Sequence, residues 1–309
     1  MGSSQAAIRS TARLVPAVLC LLFALAFIAA ASACSSGTRT TDQPVGGATA
    51  TSSAGGADLL AVVKRRGKLL IATDAKYEPQ SYRTADGVWH GFDVDVGREI
   101  ARRIGVQPQY LDISFDVITG GHWSGRWDVD VGSMSITHDR QRVLYLSDPY
   151  YYVPASFVVN RDSKAASIND LTGKRVGVGT ATTYQAYLEN HLSLIGEKIL
   201  RPPPQTRVVP YDTDLLALQD LALGDGVRLD AVLTALPFAM YQIRSGQAYK
   251  VLDKPVFYDA SAVAIDKSSP NDPASLFAAV QSAIRGMHKD GMLSALSKKY
   301  YGIDLSRKQ

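Results

Sequence analysis

KLLIATDAKYEPQSYRTADGVWHGFDVDVGREIARRI, residues 68–104, sets the plan of the chain. Lys68–Ala72 is a short apolar run of the kind that forms a buried strand. Val96, Ile100 and Ile104 then recur every four residues, which predicts a helix after Phe92 with one face in a core. The alternation continues outward. Strands are expected near Val106–Leu111 and Val129–Gly132, over Ser156–Asn160 and Arg175–Val178, near Val208, and over Ala231–Thr234. Helices are expected over Tyr184–Leu192 and Leu215–Leu223, along the stripe Leu276, Val280, Ile284, Met287, and from Met292 to Tyr300. Strand–helix alternation at this spacing argues for α/β lobes with largely parallel sheets.

The N-terminal side has a different character. Arg9 and Arg13 precede the apolar run that starts at Leu14, and Ala31-Ser32-Ala33 leads into Cys34. That order is a secretory signal peptide, residues 1–33. The cysteine after the small residues resembles the lipobox of bacterial lipoproteins, with Ala31 where that motif prefers Leu. On that resemblance Cys34 becomes the lipidated N-terminus and anchors the protein to a membrane. An uncleaved anchor is the competing reading, and Pro16 weighs against it. Residues 34–57 are rich in Ser, Thr, Gly and Ala, and read as a flexible tether.

The chain has 309 residues, 46% of them hydrophobic and 20% charged, which is a globular composition. Its net charge of +4 contains no concentrated basic run, so a nucleic-acid partner is not expected. Cys20 leaves with the signal peptide, so neither an internal disulfide nor a cysteine metal site is possible. The five histidines are scattered without ligand spacing, and no metal or cofactor is expected. No G-x-S-x-G elbow or S-x-x-K pair supports a serine nucleophile. Gly177-Val-Gly-Thr lacks the third glycine of a dinucleotide fingerprint, yet it follows a strand and opens a helix, a place that suits an anion.

Several stretches together resemble the bacterial extracellular solute-binding proteins that serve polar amino-acid ABC transporters. They are Lys68-Leu-Leu-Ile-Ala-Thr-Asp-Ala-Lys-Tyr-Glu-Pro, Gly91-Phe-Asp-Val-Asp-Val, Gly132-Ser-Met-Ser-Ile-Thr-His-Asp-Arg140, and Ser147-Asp-Pro-Tyr-Tyr151. Gly173-Lys-Arg-Val-Gly-Val, Thr182-Thr183-Tyr184, Asp290-Gly-Met-Leu and Lys299-Tyr-Tyr-Gly302 follow in the family's order. The resemblance implies a type II periplasmic-binding-protein-like clamshell with a two-strand hinge. Lobe one would be 58–155 plus 260–309, and lobe two 156–259.

It also implies roles. Arg140 would clamp a ligand carboxylate; Gly132, Ser133 and Ser135 would give close approach and donors; Thr182 and Thr183 would add N–H groups from the other lobe. Tyr77 and Phe115 would form an aromatic wall, and Asp74 would touch polar side-chain groups. The chain departs from the family at Ala235, where an aspartate usually binds the ligand's ammonium, so Asp74 or a non-standard ligand is implied. Gln80 and Ser81 replace the usual Phe and Glu, and Trp123 is expected to narrow the pocket. The reading is a monomeric, non-enzymatic lipoprotein outside the cytoplasmic membrane. It would deliver a small polar carboxylate to a permease and its ATPase. The alternatives are a dehydratase acting on a cyclic carboxylate and a sensory receptor lobe. The first would need a His or Glu at the matching positions, and none stands there. The second would need a further membrane segment after the lobes.

Overall fold

The computed structural model describes residues 56–195 and 197–308. The signal peptide, Cys34 and nearly all of the tether lie outside these residues. The first elements are α1 (Leu59–Arg66), β1 (Lys68–Thr73), β2 (Lys76–Tyr77), β3 (Ser81–Arg83), β4 (Trp89–His90), α2 (Phe92–Ile104) and β5 (Gln107–Asp112). There follow α3 (Phe115–Thr119), β6 (Val129–Ser135), α4 (His138–Val143), β7 (Leu144–Leu146) and β8 (Tyr151–Asn160). The next group is β9 (Arg175–Gly179), α5 (Thr183–Leu188), β10 (Arg207–Tyr211), α6 (Asp214–Ala222), β11 (Ala231–Ala235), α7 (Leu236–Arg244) and β12 (Tyr249–Asp266). Helices α8 (Ala274–Lys289) and α9 (Met292–Tyr301) close the chain.

The main sheet runs β10-β9-β11-β8-β12-β6-β1-β5, with β7 pairing β12. At one end β6, β1 and β5 are parallel, and at the other β10, β9 and β11 are parallel. Between these two sets β8 and β12 run antiparallel to each other and to their neighbours. This is a two-lobed clamshell in which each lobe has a parallel sheet and two long strands cross between them. Helix α2 packs against β1, β5 and β6, and α6 against β9, β10 and β11.

Burial follows the predicted patterns. Val96 and Ile100 on α2 and Leu276, Val280, Ile284 and Met287 on α8 are fully buried in the large core. Gly91, at the N-cap of α2, has φ 126°, and a Cβ there would lie 2.2 Å from the carbonyl oxygen of Gln80, so only glycine fits. Two expectations are corrected. Helix α5 stops at Leu188 rather than continuing to Leu192, because Asn190 turns left-handed at φ 61°, a conformation asparagine tolerates. Trp123 does not narrow the cleft. It packs with Trp127, Met134 and Leu144 in a second, smaller core, and its indole N–H donates to the Ile118 carbonyl at 2.9 Å. The longest strand, β12, and the β2–β3–β4 sheet have no counterpart among the predicted elements.

Candidate functional site

Open α/β sheets bind ligands beyond the C-terminal ends of their parallel strands, where loops leave the sheet. Here those ends come from both lobes and border one cavity of about 60 Å³ that opens to solvent. The first lobe supplies Asp74 after β1, Tyr77 on β2, Phe115 after β5, and Gly132, Ser133 and Ser135 on β6. The second supplies Thr182 and Thr183 at the start of α5. Arg140 lines the adjoining groove, which shares Thr182 and Thr183 with the cavity.

Arg140 is held by both lobes. It is buried, at 7% exposure, and donates to the Ser135 carbonyl at 3.0 Å and to the Ala181 carbonyl at 2.9 Å. The guanidinium carbon lies 5.1 Å from the centre of the Phe115 ring, within cation–π range. Burial disfavours its charge, and Asp259 and Asp130 support it electrostatically. A guanidinium has five N–H donors in a planar fork, so its capacity for an anion is not exhausted by two carbonyls.

Each lobe holds a non-glycine residue in the left-handed region beside the cleft, Ser133 at φ 60° and Ala181 at φ 60°. Such residues persist only where surrounding contacts fix them. Ser133 donates its N–H to the Tyr150 hydroxyl at 2.9 Å and its own hydroxyl to Asp93 at 2.7 Å, and it also bonds the Tyr151 hydroxyl. Both donors expected to face a ligand are therefore engaged within the protein. The Ala181 N–H donates to the Gln185 side chain at 2.9 Å. Thr182 caps α5, accepting from Gln185, and donates to the Gly179 carbonyl at 2.7 Å. Thr183 donates to Asp259 at 2.6 Å, with Ser135 3.5 Å away from the other lobe.

Tyr77 crosses the cleft. Its ring centre is 5.1 Å from that of Phe238 on α7, and its hydroxyl faces Tyr184 and Asp214. Asp74 accepts from the Lys76 N–H at 2.8 Å, so it is a turn residue as well as a cavity wall. Burial raises its pKa, and nearby Asp112 adds to this.

Six further residues line the cavity, Gly179, Thr180, Tyr184, Asp212, Thr213 and Asp214, and the sequence reading named none of them as a ligand residue. Asp214 is buried, and its oxygens accept from the Gly179 N–H at 2.9 Å and the Thr234 hydroxyl at 2.5 Å. Burial pushes its carboxyl up to about 6, against the pull of those two bonds, and the charge of Asp74 adds to the rise. Asp259, on the crossing strand β12, is likewise raised by burial to about 6. The sequence signal was present in Tyr211-Asp-Thr-Asp214, a strand end running into a helix cap, but a cap is the ordinary meaning of that pattern. Among the described residues, no group of three or more His, Cys, Asp or Glu could hold a metal, and no helix is long and apolar enough to cross a membrane.

The model of a family described as bacterial extracellular solute-binding proteins, family 3, matches residues 69–303. The L-cystine-binding protein of Escherichia coli is 30% identical over 252 residues, covering 81% of this chain and 88% of the relative. The lysine/arginine/ornithine-binding periplasmic protein of Escherichia coli is 30% identical over 244 residues, covering 76% and 88%. Among solved structures, an ancestral amino acid-binding protein described as a precursor of cyclohexadienyl dehydratase superposes with a TM-score of 0.67 at 26% identity, covering 79% of this chain and 100% of that one. The holo arginine-binding protein of T. maritima gives 0.64 at 27% identity, covering 78% and 99%.

Proposed function

The chain belongs to the bacterial extracellular solute-binding proteins of family 3, and on that premise we propose that it captures an amino acid in the interlobe cleft and delivers it to an ABC permease and its ATPase. The observation that carries this is the cavity itself, at strand ends of both lobes, with aromatic walls, hydroxyls, and a buried arginine at its margin. In this reading Arg140 grips the carboxylate, with N–H groups at the start of α5 reaching it from the other side. Gly132 lets the ligand approach the main chain, and Tyr77 and Phe115 pack on its side chain. Closure is favoured because only the closed form offers both lobes' contacts at once. The lobes exchange at 155/156 and 259/260, within β8 and β12. The protein acts as a monomer without catalysis. Cys34 carries the lipid that holds it to the outer face of the cytoplasmic membrane.

The test is a thermal-shift panel of the standard amino acids and L-cystine on the wild-type chain, followed by Arg140→Ala and Arg140→Lys. A true ligand raises the melting temperature by mass action. Both variants are expected to lose the shift, since lysine keeps the charge but not the fork. A shift that survives Arg140→Ala refutes the clamp. Turnover of a cyclohexadienyl carboxylate by the wild-type chain would refute the non-enzymatic reading. An unmodified Cys34 in membrane-fraction mass spectrometry would refute the anchor.

A further inference from the structure

The cavity is charged on one sign only. Asp74 enters from the first lobe and Asp212 and Asp214 from the second, and no Lys, Arg or His lines it. Asp212 is exposed, so water screens it. Asp214 is not screened in this way, being 7% exposed. Its two hydrogen-bond donors, the Gly179 N–H and the Thr234 hydroxyl, are neutral; they orient the carboxylate without balancing its charge. It takes part in none of the ion pairs among the described residues. Asp74 faces it across the cleft closely enough for the two charges to interact. The other titratable groups around Asp214 are the hydroxyls of Tyr77 and Tyr184, which burial keeps neutral, and Lys76 is exposed beyond Asp74.

A buried carboxylate without a countercharge is costly, and a like charge opposite it makes closure more so. A cation placed between the two removes both penalties, and each carboxylate oxygen still has a lone pair to accept with. We infer that Asp214, with Asp74 opposite, is the seat of the ligand's ammonium group and makes closure of the cleft depend on that positive charge. This rests on the amino-acid reading above and assigns a residue to the amino end of the ligand. It also accounts for Ala235: the carboxylate comes from the first residue of α6 and not from the end of β11.

Each amino acid that stabilises the wild-type chain is titrated calorimetrically beside its desamino twin, such as L-lysine with ε-aminocaproate or L-cystine with dithiodipropionate. The wild-type chain is expected to prefer the amino acid by about 100-fold or more, the scale of a broken buried charge pair. Asp214→Asn keeps an acceptor for the Gly179 N–H, so the unliganded fold is expected to survive. That variant should reduce the preference to below about tenfold by weakening the amino acid, while the twin, no longer closing on an unpaired carboxylate, binds at least as tightly as before; a cycle of this kind isolates that coupling. A preference that persists in Asp214→Asn overturns the inference, and so does an equal loss for amino acid and twin, which would mark a purely structural role. Should the variant fail to fold, the wild-type chain alone decides: its preference must fall as the pH drops below about 6, where Asp214 takes a proton, and a flat preference overturns the inference. A wild-type chain that binds both compounds equally sinks this inference alone. One that binds neither sinks the reading beneath it.

Discussion

Asp93 offers a quantitative test of how the first lobe is held together. Its carboxyl is fully buried and accepts from the Ser133 hydroxyl at 2.7 Å and the Tyr150 hydroxyl at 2.8 Å. Burial raises it from an ordinary 3.8 to about 7, more than those two bonds lower it. The folded protein therefore holds a proton that the unfolded chain releases between these two values. Stability must then fall as pH rises through that window and level off above it. At 1.36 kcal/mol per pKa unit the effect amounts to about 4 kcal/mol at full development. Asp93→Asn replaces the carboxyl by a neutral group of the same shape. Relative to wild type, it is expected to be about as stable near pH 4.5 and progressively more stable toward pH 8, by up to about 4 kcal/mol less the cost of rearranged hydrogen bonds. Neighbouring Asp130 is also raised by burial, with Asp93 adding to the rise, and the subtraction of the two titration curves removes what both proteins share. Urea unfolding followed by circular dichroism across that range gives both curves. A difference that does not vary with pH would refute the reasoning, because it would mean that Asp93 is ionised in the fold at no net cost.

Other outcomes are more local. Asp130 is fully buried and neither oxygen has a hydrogen-bond partner among the described residues; Asp130→Val should raise stability by about 1–3 kcal/mol in urea unfolding, and a loss would show the carboxyl to be compensated. A Cβ at Gly179 would lie 2.6 Å from Asp214 Oδ1. Gly179→Ala should therefore cost about 1–3 kcal/mol and weaken ligand binding, whereas unchanged affinity would mean the carboxylate need not stay where it is. Tyr77→Ala removes the ring that packs, tilted, against Phe238 across the cleft; ligand affinity should drop about tenfold and be largely kept in Tyr77→Phe, as an aromatic contact of about 1 kcal/mol plus lost burial requires.

The parallel strands were readable because a strand buried on both faces is a short unbroken apolar run, as in Lys68–Ala72 and Ala231–Thr234. The helices α2 and α8 were readable because their buried residues recur at helical spacing. Strand β12 was not, since Asp253, Lys254 and Pro255 interrupt it and its first half alternates poorly between buried and exposed positions. Eight of the nine candidate ligand residues line one cavity because the segments that carry them leave the sheet at the same edge. What the sequence concealed was where polar groups are spent. Ser133 looks like a ligand donor until its N–H and hydroxyl are found bound to Tyr150 and Asp93. Asp214 looks like a helix cap, and its burial against Gly179 and Thr234 arises only when β9, β11 and α6 are brought together. Trp123 stood out by rarity, and rarity carries no information about which of two cores a side chain fills.

The pairing of β8 with β12 extends from Tyr249–Asn160 to Ser261–Tyr151, so the lobes are joined by a ladder of backbone hydrogen bonds and not by slack tethers. A ribbon of this kind resists shear and stretching far more than flexing. Opening therefore parts Arg140 from the Ala181 carbonyl, 2.9 Å away in this form, while the ladder keeps the lobes aligned. Between Leu252 and Phe257 the register shifts, so the ladder is interrupted on one side of the crossing.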